Sequence, residues 1–279
     1  MKILRDSLEL RDLVRDVRAS GKTVGFVPTM GALHDGHFSL VRQARAETGF
    51  VVVSIFVNPL QFAPGEDLAR YPRRESEDAA ALERESVDVA YLPDPAAIYP
   101  PGFSTAVEVS GVSEGGEGAA RPGHFRGVAT VVAKLFLQVS PDVAFFGRKD
   151  LQQVAVVRKM IRDLDFPIRL AVGETVREPD GLALSSRNAY LSPEERRIAA
   201  AFPRALFGAR DAAIRGERDA TLLAARVRRE LEAAKVGVEY VDVVDPATME
   251  PVPEAVRGTA LAAAVRVGKT RLIDNVLVP

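Results

Sequence analysis

The chain has 279 residues, 47% of them hydrophobic, and a formal net charge of −1. That is enough apolar chain for a sizeable core in one large or two smaller domains, and too little basic excess for a dedicated nucleic-acid binder. Cysteine is absent, which removes disulfides, thiolate catalysis and cysteine-based zinc sites and suits a reducing, cytoplasmic compartment.

Met1–Arg18 carries charges every few residues and lacks the apolar centre of a signal peptide. Thr23–Thr29 then reads as a buried strand and Phe38–Glu47 as an amphipathic helix. Phe50–Val57 is the clearest apolar run, a strand far too short to cross a bilayer. Glu75–Glu85 reads as a helix, Asp88–Leu92 as a strand, and the proline-rich Leu92–Phe103 and glycine-rich Gly111–Gly123 as loops. Val128–Val139 is a helix, Asp142–Phe146 a strand and Ile168–Val172 another. In Leu151–Leu164 the apolar positions Val154, Val157, Ile161 and Leu164 recur at helical spacing on one face. Strands nearly continuous in apolar residues, alternating with helices, predict a Rossmann-like, doubly wound parallel α/β sheet. The texture then changes. Pro193–Arg215 and Glu217–Lys235 read as two helices, and Val238–Val244, Leu261–Val267 and Arg271–Val278 as strands, the last two joined by a hairpin at Gly268–Thr270. Helices followed by antiparallel strands predict a smaller α+β domain, with the boundary near Gly173–Arg177.

The sharpest chemical signal is Pro28–His37 (PTMGALHDGH), at the end of the first strand and the start of the next helix, where doubly wound sheets bind nucleotides. Gly31 allows a tight turn, and Gly36 removes a side chain beside the helix start. His34 and His37, three apart, share one face at a helix N-terminus that favours phosphate. Two surface histidines, or a zinc site short of a third ligand, are the rival readings. Gly147-Arg148-Lys149-Asp150 follows a strand and precedes a helix; Lys149 offers a charge for phosphate, or the turn is simply solvated. Leu184-Ser185-Ser186-Arg187 follows the Pro179-Asp180-Gly181 turn and has the hydroxyls and guanidinium that suit a triphosphate, or is a plain surface loop. His124, between Arg121 and Arg126, reads equally as helix-start packing or as a ligand. Glu77 and Asp78 read as solvated helix charge, or as carboxylates in reach of Mg²⁺, and are left out of the site.

Five stretches in order, VPTMGALHDGH, SIFVNPLQF, RPGHFRGVATVV, FFGRKDLQQ and VREPDGLALSSRNAYLS, resemble the pantothenate synthetase family. Its His-x-Gly-His motif is shared with the wider nucleotidylyltransferase and class I aminoacyl-tRNA synthetase superfamily. The resemblance covers most of residues 23–192 and is weak beyond. It implies an AMP-forming ligase that adenylates pantoate with ATP and Mg²⁺ and passes the acyl group to β-alanine, acting as a cytoplasmic homodimer. It implies ATP contacts from Met30, Gly31, Ala32, Leu33, His34, Asp35, Gly36, His37, Gly147, Arg148, Lys149, Asp150, Val176, Leu184, Ser185, Ser186 and Arg187. His34, His37, Lys149 and Arg187 would be catalytic, and Gln61 and Gln153 would hold pantoate. Residues 1–175 would form the nucleotide- and pantoate-binding domain and residues 176–279 a smaller C-terminal lid. Arg148 stands where the family commonly has Glu, so its side chain is given no role. Leu184 stands where Met is more common. Another superfamily transferase, or a non-catalytic protein on the same fold, is the competing reading.

Overall fold

A computed structural model describes residues 1–279. In chain order the elements are β1 (Lys2–Leu4), α1 (Ser7–Ala19), β2 (Val24–Thr29), α2 (Asp35–Glu47), β3 (Phe50–Ile55), α3 (Glu75–Arg84), β4 (Val89–Tyr91), α4 (Pro95–Ile98), α5 (Gly116–Ala120), α6 (His124–Val139), β5 (Val143–Gly147), α7 (Leu151–Asp163) and β6 (Arg169–Gly173). They continue with α8 (Pro193–Ala199), α9 (Ala201–Ile214), α10 (Ala220–Ala233), β7 (Gly237–Val244), β8 (Ala260–Val267) and β9 (Thr270–Leu277).

The chain divides into two compact units: Met1–Val109, Pro122–Arg148 and Val156–Glu174 form one, and Ser110–Arg121, Lys149–Ala155 and Thr175–Pro279 the other. The first holds a six-stranded sheet in the order β1-β4-β3-β2-β5-β6, every pair parallel. Its strands are apolar on both faces: Val24, Phe26, Val27, Val51, Val52, Val53, Phe145 and Ala90 are all fully buried, as a sheet covered on two sides requires. From β2 the chain builds outward through β3 and β4, then returns to the other side of β2 for β5 and β6. That reversal opens a crevice at the carboxyl ends of β2 and β5, where open α/β sheets bind their ligands.

The second unit carries a three-stranded antiparallel sheet, β7-β8-β9. Leu206, Leu223, Val227, Leu231, Leu261 and Val265 form its apolar core with no exposure. Two stretches from before residue 175 belong to it because Gln152 ties them together. The Gln152 amide donates to Val112 O at 3.0 Å and Gly115 O at 2.8 Å, and accepts from Glu117 N at 2.9 Å. Glu117 in turn takes both guanidinium nitrogens of Arg271 on β9, at 2.6 and 2.7 Å.

Several expectations from the sequence change in detail. The single helix expected over Pro193–Arg215 is broken at Ala200. Pro203, one turn on, has no N–H to bond back, and its ring collides with the carbonyl a helix would place beneath it. The helix expected from Glu217 starts at Ala220, because the Asp219 carboxylate caps it by accepting from Leu222 N at 3.0 Å. The Leu92–Phe103 and Gly111–Gly123 loops each contain one short helix, α4 and α5. β1 and α1 form in a charge-rich stretch for which the sequence pattern predicted no element.

Candidate active site

In the first unit, Met30–His34 links β2 to α2 at the reversal of strand order. Thr29 anchors its start: the hydroxyl donates to Ser54 O on β3 at 2.7 Å and accepts from Gly31 N at 3.2 Å. Gly31 and Ala32 both lie in the left-handed region, at φ 79° and 50°. A Cβ at Gly31 would stand 3.0 Å from Asp78 Oδ2 and from Ile55 Cγ2, so conformation and space both demand glycine.

Asp78, on α3, is only 4% exposed, and its two carboxylate oxygens accept from Ala32 N at 2.8 Å and Leu33 N at 2.9 Å. It is therefore a fastener of the histidine loop and not the solvated charge the sequence suggested. Burial pushes its carboxyl above the ordinary carboxylate range, against the pull of the two N–H groups. No sequence signal marks it, because it sits among Glu75 and Glu77 in the acidic first turns of a helix.

His34 is the N-cap of α2. Its Nδ1 accepts from Gly36 N at 3.2 Å, while His37 Nδ1 accepts from His34 N at 3.3 Å. This is a capping box made of two imidazoles. An accepting Nδ1 leaves the proton of a neutral ring on Nε2, so both rings present Nε2–H as donor. The ring centroids are 4.2 Å apart, tilted by 45°. Two such donors over the positive end of a helix match the oxygens of a phosphate. Met30, Leu33 and Gly36 are half-buried around them, and Asp35 is exposed at the helix start.

Gln61 closes a short turn, Pro59–Gln61, after β3. It is buried, and its Oε1 accepts from Asn58 Nδ2 at 2.9 Å, which fixes the amide orientation with Nε2 as the donor end. Asn58 Nδ2 also donates to Gly127 O at 3.1 Å, and Tyr99 Oη donates to Asn58 Oδ1 at 2.8 Å. His124 Nδ1 lies 2.8 Å from Gln61 O and donates to it, since a carbonyl only accepts. His124 thus holds the turn that presents Gln61. Gly127 explains the rest of that motif: a Cβ there would lie 2.2 Å from Leu60 O and 2.7 Å from Gln61 N. Gly127→Ala is expected to cost about 2–3 kcal/mol by overpacking against rigid backbone, and to raise the KM for the ligand of Gln61 through displacement of the turn. Denaturant unfolding with steady-state kinetics checks both.

Gly147 ends β5, and Arg148 donates to Glu174 at 2.5 Å within the same unit. Lys149 and Asp150 follow, with Nζ 3.6 Å from the Asp150 carboxylate. In the second unit, Val176 and Leu184 are brought together by the Leu184 N–H donating to Val176 O at 3.0 Å, across a tight hairpin that bridges Arg177 and Ala183. Ser185 caps the turn Ser186–Tyr190, its hydroxyl accepting from Arg187 N at 3.2 Å. Gln153, next to Gln152, is half-buried in the first turn of α7. No group of three or more His, Asp or Glu side chains is arranged to hold a metal ion.

A doubly wound parallel sheet with paired imidazole donors at a helix N-terminus, placed where the strand order reverses, defines a nucleotide-handling α/β enzyme. The comparisons narrow that class. The family model described as pantoate-beta-alanine ligase matches residues 2–277. A pantothenate synthetase of Rhizorhabdus wittichii is 55% identical over 278 residues, spanning 100% of this chain and 99% of the relative. The crystal structure of pantothenate synthetase from Thermus thermophilus superposes with a TM-score of 0.94 at 48% identity, covering 100% of this chain and 99% of that one. A Francisella tularensis pantoate-beta-alanine ligase, solved with β,γ-ATP and β-alanine, superposes with a TM-score of 0.84 at 32% identity over 99% of this chain and 97% of that one. The chain belongs to the pantoate-beta-alanine ligase family, and it is a ligase that forms pantothenate with consumption of ATP.

Proposed function

We propose that the reaction proceeds in two half-reactions on the residues described above. The pantoate carboxylate attacks the α-phosphorus of ATP, forming pantoyl-adenylate and releasing pyrophosphate. The amine of β-alanine then attacks the acyl carbon, releasing AMP. The observation that carries this reading is the His34/His37 box, whose tautomers are set by the backbone so that both Nε2–H groups are donors at the helix N-terminus.

In this reading the two imidazoles donate Nε2–H hydrogen bonds to phosphate oxygens, and His37 stabilises the charge that builds as pyrophosphate departs. Gly31, Ala32 and Gly147 let the nucleotide approach the backbone, and Asp150 accepts from a ribose hydroxyl. Lys149 brings an ammonium and Arg187 a guanidinium fork to the ATP phosphates, supported by the Ser185 and Ser186 hydroxyls. Val176 and Leu184, joined across their hairpin, pack against the adenine. Gln61 and Gln153 hydrogen-bond pantoate, Gln61 with its amide already oriented by Asn58. Residues 1–175 carry the pantoate contacts and most nucleotide contacts, and residues 176–279 supply Val176 and Leu184–Arg187. Positioning and electrostatics suffice, with no covalent enzyme intermediate.

Magnesium fits as an ion carried by the triphosphate, a common mode for Mg²⁺. Asp78 uses both oxygens on backbone N–H groups, so phosphate oxygens and water would hold the ion. When bound, the ion neutralises phosphate charge. A cytoplasmic location and a homodimer complete the reading, carried by the family; sedimentation equilibrium tests the second.

The test is isotope exchange. Label from pyrophosphate is expected to enter ATP only when pantoate is present, with no need for β-alanine. Exchange that ignores pantoate, or none with it, would sink the adenylate mechanism.

A further inference from the structure

Two consecutive residues of β9, Asp274 and Asn275, are each 3% exposed, between the buried apolar side chains of Leu272 and Val276. Asp274 takes the guanidinium of Arg177 as a fork, at 2.6 and 2.9 Å, and accepts from Asn275 N at 2.7 Å. Arg177 also donates to Gly181 O at 3.0 Å and Asn275 O at 3.2 Å, with its guanidinium 4.8 Å from the Phe207 ring centroid. Arg177 is the first rung of the hairpin whose return strand runs directly into Ser185. The Asn275 side chain instead donates from Nδ2 to Lys149 O at 3.0 Å. The first of these side chains thus grips the base of the Leu184–Arg187 loop, and the second grips the backbone of Lys149.

We infer that Asp274 and Asn275 are positioning residues that set the spacing of Lys149 relative to the Ser185–Arg187 loop, and so determine how ATP is held. The inference rests on the reading of Lys149 and Arg187 as phosphate ligands. Its physical ground is the cost of the arrangement. A buried ion pair must offset a large desolvation penalty, and well-packed apolar residues in its place are often as stable or more so. An ion pair in an apolar core is therefore weak as a stabiliser, whereas its fork geometry specifies one hairpin orientation. An amide that reaches past its own sheet to the carbonyl of Lys149, two residues beyond β5, likewise specifies a position.

The experiment measures pantoate-dependent pyrophosphate exchange and overall turnover in Asn275→Ala, Lys149→Ala and their double variant, with thermal unfolding of each. Asn275→Ala is expected to raise the KM for ATP about fivefold, the size of one lost hydrogen bond, while the KM for β-alanine stays within about twofold. In the Lys149→Ala background the same change is expected to add less than about twofold, because it acts through Lys149. A second variant, Arg177→Met with Asp274→Leu, removes the ion pair in apolar form; it is expected to unfold near the wild-type temperature yet bind ATP more weakly. Wild-type KM for ATP in Asn275→Ala, or additive effects with Lys149→Ala, overturns the inference and leaves the proposed mechanism standing. An unimpaired Lys149→Ala overturns the mechanism as well. Should the double apolar variant fail to fold, the Asn275 cycle alone decides.

Discussion

His37→Ala is expected to lower pantoate-dependent pyrophosphate exchange by about a hundred- to a thousandfold, the loss typical of one missing donor at a charged transition state. The same change also removes half of the capping box on α2, so about 1 kcal/mol of stability goes with it. The two losses can be separated. Glutamine at the third helical position makes the same reach back to the N-cap N–H. His37→Gln is therefore expected to recover the stability but not the rate, because an amide places its donor differently from the imidazole Nε2–H. Urea unfolding beside the exchange assay reads both. Full activity in His37→Gln would reduce His37 to a helix cap and remove its proposed role at the departing pyrophosphate.

Asp78→Ala is expected to be the most damaging change outside the histidines. It strips the acceptors from two backbone donors, Ala32 N and Leu33 N, in a loop already held at left-handed φ. A buried donor left without a partner costs about 1–3 kcal/mol, so a destabilisation of about 3 kcal/mol is expected for the pair. The loop presents His34, so exchange activity is expected to fall at least about tenfold, since small displacements at a reacting centre are expensive. Asp78→Asn keeps one acceptor and the shape, and is expected to lie between. If Asp78→Ala unfolds like wild type, the loop is held by Thr29 and its own backbone, and the role given to Asp78 is wrong.

The parts of this protein legible in its sequence are those written in local periodicity. The apolar runs at Val24–Thr29, Phe50–Ile55 and Val143–Gly147 are strands because only a sheet covered on both faces buries such runs. The spacing of His34, Gly36 and His37 placed both imidazoles at one helix start, and their mutual capping follows from positions N-cap and N3. Motifs that read as signatures without a reason acquire one in three dimensions. Gly127 is glycine because α6 meets the backbone of Leu60 and Gln61 at a distance no side chain survives, and His124 is histidine because Gln61 O needs a donor. Neither contact is local: each spans more than sixty positions.

By itself the sequence determined the alternation of strands and helices and the pairing of His34 and His37 at one helix start, since each depends on neighbours a few positions apart. Only the tertiary structure decided that Asp78 is a buried fastener and not a surface charge. The same holds for the assignment of Ser110–Arg121 and Lys149–Ala155 to the second unit by Gln152 and Glu117, and for the grip of Asp274 and Asn275 on two separate loops. An aspartate, glutamine or asparagine has the same local signature on the surface as in a core. Its role is set by the N–H or C=O groups that distant segments leave needing a partner, and those exist only once the chain has folded.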